Sequence, residues 1–166
     1  MSTGWQATDM PDQTGRTILV TGANSGLGLR SAEALARSGA HVLMACRNAA
    51  KAEQAADAVR AAASGPPPEV VALDLADLSS IRACAEKVTA AAEGGLHALM
   101  NNAGVMALPE ARTADGFEMQ FGTNHLGHYA LTGLLLPALL RTELPRVVTT
   151  TSLVHRTGRM RWKDLN

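Results

Sequence analysis

The sequence predicts an α/β protein in three layers, a doubly wound parallel sheet with helices on both faces. Two observations carry that prediction. Apolar, partly β-branched runs alternate strictly with Ala-rich helix-forming stretches, and the connections between them are short. The first such run, Thr17-Ile18-Leu19-Val20, leads directly into a glycine-rich turn, Thr21-Gly22-Ala23-Asn24-Ser25-Gly26-Leu27-Gly28, and then into a helix-forming stretch.

Each element has a local reason. Residues 1–15 read as an extended arm ahead of one domain over 16–166, with Asp12 to Gly15 turn-like and Trp5 placed to pin the arm to the body. Strand one covers 16–21, and a helix runs from Gly26 to Ser38, where Gly39 ends it as a C-cap glycine does. His41–Ala45 is the second strand; Asn48 then caps a helix over 49–63, stopped by Ser64-Gly65-Pro66-Pro67-Pro68. Val70–Leu73 is the third strand, closing at Asp74-Leu75, and a helix over 78–92 follows. Gly94-Gly95 ends that helix before the fourth strand, His97–Met100. After Asn101-Asn102-Ala103-Gly104 and a loop, one long helix is expected over 115–141. Gly122, Gly127 and Gly133 inside it each cost about 1 kcal/mol against Ala, so close packing or a local distortion is expected there. Pro145 precedes a fifth strand, Arg146–Thr151, and the rest, Ser152–Asn166, is polar and basic without a clear element.

Composition narrows the function. The 166 residues are 46% hydrophobic and 18% charged, enough for one domain with a real core. A formal net charge of zero argues against nucleic-acid or acidic-membrane partners, and 3% aromatic residues argue against a base-stacking surface. No apolar run reaches membrane-spanning length, and Met1–Thr14 lacks a signal-peptide core, so a cytoplasmic protein is expected. Cys46 and Cys84 read as buried, reduced thiols rather than a disulfide or metal site.

The glycine-rich turn carries the chemistry. At a strand-to-helix turn, backbone N–H groups and a helix N-terminus hold a phosphate. Gly22 allows the tight turn; Gly26 and Gly28 let the backbone approach a pyrophosphate and the helix pack near the strand. The spacing is T-G-x-x-x-G-x-G, not G-x-G-x-x-G, and Leu27-Gly28-Leu29 lacks the Lys-Ser/Thr of a P-loop. On the loop alone, a plain Gly-rich turn is the alternative.

Thr21-Gly22-x-x-x-Gly26-x-Gly28, Asp74-Leu75, Asn101-Asn102-Ala103-Gly104, Asn124 and Ser152 together resemble the short-chain dehydrogenase/reductases. Met44-Ala45-Cys46-Arg47-Asn48 and Asp115–His128 look like the retinol-dehydrogenase-like subgroup, and the resemblance covers nearly the whole chain. It implies a Rossmann-type fold. It also implies that Thr21, Gly22, Asn24, Ser25, Gly26, Leu27 and Gly28 form the cofactor loop, the three glycines seating the pyrophosphate. Asp74 and Leu75 would line the adenine; Asn102 and Ala103, with Gly104, would face the cofactor and brace the sheet. Taken singly, Asp74 could cap a helix and the Asn pair could be turn chemistry.

The end of the second strand points to the cofactor. NAD-preferring folds usually place an acid there for the ribose 2′-hydroxyl. Here the place holds Cys46, followed by Arg47, which suits a 2′-phosphate; the expectation is NADP(H) over NAD(H). A solvated surface Arg is the alternative.

By the same resemblance, Ser152 holds a substrate oxygen and Asn124 a water that links a lysine to solvent. The family's Tyr-x-x-x-Lys has no counterpart. The one tyrosine, Tyr129, stands four residues before Gly133 and reads as a packing residue. Lys51 and Lys87 fall on outer helices and Lys163 in the tail. The expectation is therefore the cofactor-binding portion of a truncated oxidoreductase for a small carbonyl or alcohol substrate, inactive alone. The family's further strands are expected to be missing, leaving Arg146–Thr151 as an open edge. The alternative is a non-catalytic dinucleotide-binding module or an inactive relic. A homo-oligomer would have half of the family's usual interface, on the Asn124 helix. Arg156, Arg159, Arg161 and Lys163 read as a solvated loop.

Overall fold

The computed structural model describes residues 4–159 and 163. Five parallel strands form one sheet in the order β3-β2-β1-β4-β5: β1 is Thr17–Thr21, β2 His41–Cys46, β3 Glu69–Ala72, β4 Ala98–Asn101 and β5 Arg146–Thr149. The chain winds outward from β1 to β3, returns to lay β4 on the other side of β1, and so opens a crevice where the two directions part.

The period of two along the strands builds two cores. Ile18 and Val20 of β1 and Val42 and Met44 of β2 point to one face, where α1 (Gly26–Arg37) and α2 (Ala49–Ala62) cover them with Ala32, Ala36, Ala52, Ala56 and Val59. Leu19, Leu43 and Leu99 point to the other face. There they meet Ile81, Cys84 and Val88 of α3 (Leu78–Ala91). They also meet Leu131, Leu135 and Leu139 from a later helix, Gly127–Leu139. The small residues of α1 and α2 let those helices sit close to the sheet.

Three expectations need correction. The long helix over 115–141 begins only at Met119. Residues 113–118 turn instead, with Thr113 N–H donating to Phe117 O, and Glu118 caps the helix by accepting from the N–H groups of Gln120 and Phe121. The helix has three parts, α4 (Met119–Phe121), a π-turn over Gly122–Leu126 and α5 (Gly127–Leu139). The glycines explain part of this. A Cβ at Gly122 would strike the Thr113 methyl and one at Gly127 the Leu75 carbonyl, while Gly133 faces open space. Second, Trp5 is 69% exposed and pins nothing; Gln13 holds the lead-in, buried, with its N–H donating to Ser38 O at 2.8 Å. Third, Tyr129 is 76% exposed, because it follows the buried His128 onto the outer side of its helix, so it is not a packing residue. The fifth strand stops at Thr149, and all four of its residues are exposed on the edge of the sheet. After it, one 3₁₀ turn covers Leu153–Arg156. Arg156, Arg159 and Lys163 are exposed; Arg161 lies outside the described residues.

Candidate dinucleotide site

A cleft of about 280 Å³ opens at the C-terminal ends of the strands, where the winding reverses. Each wall is a strand end. Gly22 and Asn24 come from the turn after β1, and Asp74 and Leu75 from the segment after β3. Ala103, Gly104 and Val105 follow β4, and Thr123 reaches in from the π-turn. The wall after β2 is Cys46, Arg47, Asn48 and Lys51.

The turn after β1 has the geometry a phosphate needs. Gly22 has φ 66°, in the left-handed region, with Ala103 3.0 Å from where a Cβ would stand. A Cβ on Gly28 would strike the Asn102 amide and the Gly22 carbonyl, so only glycine lets α1 start this close to β4. Asn48 caps α2, accepting from Lys51 N–H at 2.9 Å, and Asp77 caps α3, accepting from Ser79 and Ser80 N–H. Ser25 makes no such bond, and the first turn of α1 carries no acidic residue. Its amides therefore fit an anion brought by a ligand. Ser25, Gly26 and Leu27 form the outer rim, with Leu27 74% exposed.

Thr21 joins the two halves of the site. Its Oγ1 accepts from the N–H groups of Asn102 (2.9 Å) and Ala103 (3.0 Å), and the Asn102 amide nitrogen donates back to Thr21 O at 2.8 Å. Asn102 thus braces β1 against β4, while the Asn101 amide donates to Thr132 and Thr149. Asp74 does not cap the helix, since Asp77 does; its Oδ1 accepts from Ala76 N–H and fixes the corner that carries Leu75.

Asn124 and Ser152 are not brought together. Asn124 clamps Val105, accepting its N–H and donating to its carbonyl, both at 2.8 Å. It lines a second, smaller cleft of about 220 Å³ with Asn101, His128, Tyr129 and Thr149. Ser152 lines neither cleft. It is exposed at the start of the 3₁₀ turn, where its hydroxyl accepts from Val154 N–H. Lys51, in contrast, belongs to the cleft although sequence reading placed it on an outer helix. The signal was Asn48, because a cap there puts Lys51 in the first turn of α2, facing the strand ends.

Burial pushes the Cys46 thiol up from its ordinary value, and the Cys84 thiol up to about 11. Both are protonated, inert thiols at neutral pH. Among the described residues no cluster of three or more His, Cys, Asp or Glu could hold a metal.

The family model of the short chain dehydrogenases matches residues 16–163. The chain belongs to the short-chain dehydrogenases. Retinol dehydrogenase 12 of Mus musculus is 48% identical over 151 residues, which is 91% of this chain and 48% of that protein. This short-chain dehydrogenase therefore spans about half the length of the curated relative. An uncharacterised protein from Mycobacterium paratuberculosis has a crystal structure that superposes with a TM-score of 0.85 at 51% identity, covering 99% of this chain and 56% of that one. A short-chain dehydrogenase from Shigella flexneri, solved in complex with NADP, superposes with a TM-score of 0.74 at 30% identity, over 90% and 64% of the two chains. The family binds a nicotinamide dinucleotide.

Proposed function

We propose that the protein is an NADP(H)-dependent oxidoreductase and that these 166 residues provide its cofactor-binding portion. The observation that carries the cofactor preference is the wall after β2. Arg47 and Lys51 border the cleft on either side of the Asn48 cap, and no carboxylate stands at the end of β2. Two cations suit a 2′-phosphate, and the acid that lines the cleft, Asp74, follows β3 and does not stand at the end of β2. The α1 amides and Gly22 would seat the pyrophosphate, and Asp74 and Leu75 the adenine end.

A bound nicotinamide would give up the hydride to a carbonyl or take it from an alcohol. Asn124 keeps the loop after β4 in place through Val105, and Ser152 is assigned to the substrate oxygen. The name of the mouse relative supports an alcohol or carbonyl of retinoid type as substrate. The two free, buried cysteines are compatible with a reducing, cytoplasmic setting, and among the described residues no helix is long and apolar enough to cross a membrane.

The test is titration of NADPH and NADH by cofactor fluorescence. The wild-type chain is expected to prefer NADPH. Arg47→Asp should weaken NADPH by about 30-fold or more, the loss of a charge-assisted pair with a repulsion added, while NADH changes little. Equal losses for both cofactors would remove the assignment.

A further inference from the structure

We propose that His128 is a positioning residue that holds both ends of the cleft-lining segment 102–105, acting as a neutral acceptor for the Thr21 hydroxyl. The inference rests on the dinucleotide-site reading above.

His128 is 4% exposed, at the junction of the π-turn and α5. Its Nδ1 lies 3.0 Å from the Asn124 carbonyl, which only accepts, so Nδ1 carries the proton and donates. In a neutral ring, Nε2 is then the acceptor. It lies 3.0 Å from Thr21 Oγ1, nearer than the Met100 carbonyl at 3.3 Å. The Thr21 oxygen already accepts from Asn102 and Ala103, so its one proton is what it has left to offer, and Nε2 takes it. A protonated Nε2 would aim a donor at an oxygen whose lone pairs are both taken. Burial favours the same neutral state, lowering the pKa of the ring, and His125 on the π-turn acts in the same direction.

The connections explain what the ring is for. Thr21 holds Asn102 and Ala103, where the segment leaves β4. Asn124 holds Val105, where the segment ends. His128 bonds to both holders, one ring nitrogen to each. Its own carbonyl accepts from Thr132 Oγ1, which in turn accepts from the Asn101 amide of β4. One imidazole thus sets the distance between two anchors that sequence separates widely, and with it the floor that Ala103 and Val105 give the cleft.

Two measurements on the 166-residue chain decide this. The first is histidine-labelled NMR at pH 7, expected to show His128 neutral with its proton on Nδ1 and a bare Nε2. An Nε2–H tautomer or a cation overturns the proposal. The second is NADPH binding by His128→Leu and His128→Gln. Leucine leaves the Thr21 proton only the more distant Met100 carbonyl and should weaken binding about tenfold; glutamine keeps an acceptor at the ring's place and should stay within about threefold of wild type. Equal binding by all three, or glutamine as poor as leucine, overturns it. If the leucine variant does not fold, the NMR spectrum of the wild-type chain decides the proposal by itself. A wild-type chain that binds no NADPH refutes the dinucleotide reading and with it the role at the cleft, while the NMR spectrum still decides the tautomer.

Discussion

Thr21 has one proton to give and an oxygen that can accept twice, and all three capacities are used across β1, β4 and the π-turn. Such saturation makes the neutral state of His128 part of the fold, which gives a pH dependence with a definite sign. Burial lowers the folded-state pKa of His128, and of His97 with a contribution from Arg16, below the usual value near 6.5. An unfolded chain therefore takes up protons first as pH falls. The stability held by these histidines is complete above about pH 6.5 and drains away below it, toward their folded pKa values. Asp77 and Glu118, whose carboxyls are lowered mainly by hydrogen bonds from Ser79 and from the Gln120 and Phe121 amides, act only at lower pH, below the ordinary carboxylate range. Melting curves should thus shift down between pH 7 and pH 5, and His128→Gln should flatten that slope. A melting temperature constant over this interval would contradict the assignment. At this scale the sequence was readable where one residue type has one use. Arg47, Gly22 and Asn102 all reach the cleft wall or its bracing. Lys51 and His128 were not readable, because a lysine on a helix and a histidine among apolar residues acquire meaning only from what the fold sets opposite them.

At the scale of elements, the helices that begin with standard caps were legible to within a residue or two: Asn48 starts α2 and Asp77 starts α3. The helix near residue 119 was misplaced because its cap is Glu118, a type seldom used there, and because the turn signal Asp115-Gly116, with Gly116 at φ 87°, was read as helix. Its interior glycines are not equivalent, and two substitutions separate them. Gly127→Ala drives a methyl into the Leu75 carbonyl and should cost about 1–3 kcal/mol in urea unfolding, as overpacking does. Gly133→Ala meets nothing within 4 Å and should gain about 0.5–1 kcal/mol from the lost freedom of the unfolded chain. Similar values for the two would mean that contact with the Leu75 corner does not fix the π-turn. Since Leu75 lines the cleft, Gly127→Ala should also weaken NADPH, which Gly133→Ala should not.

Across the whole molecule, a parallel sheet with helices on both faces followed from the alternation of strands and helices, while the order β3-β2-β1-β4-β5 came only with the structure. The open edge at the fifth strand was also expected, from the family resemblance and not from alternation. β5 is paired on one side only, with Val147 and Val148 45% and 47% exposed, and Leu140 and Leu144 nearby at 68% and 78%. Open strand edges of this kind template pairing with other chains. Light scattering should show association that rises with protein concentration, and Val148→Lys should reduce it without changing NADPH affinity; an unchanged scattering curve would exonerate the edge. The brace on Thr21 has a different consequence, for the order of events in folding. Its partners Asn102 and Ala103 lie 81 and 82 positions further along the chain, and His128 lies 107. A nascent chain that has made only β1 and its glycine turn holds half a receptor, and a loop of that length must close before the other half arrives. On the proposed reading, dinucleotide capture acts late, as a latch on a finished topology, and stabilises the chain against global rather than local unfolding.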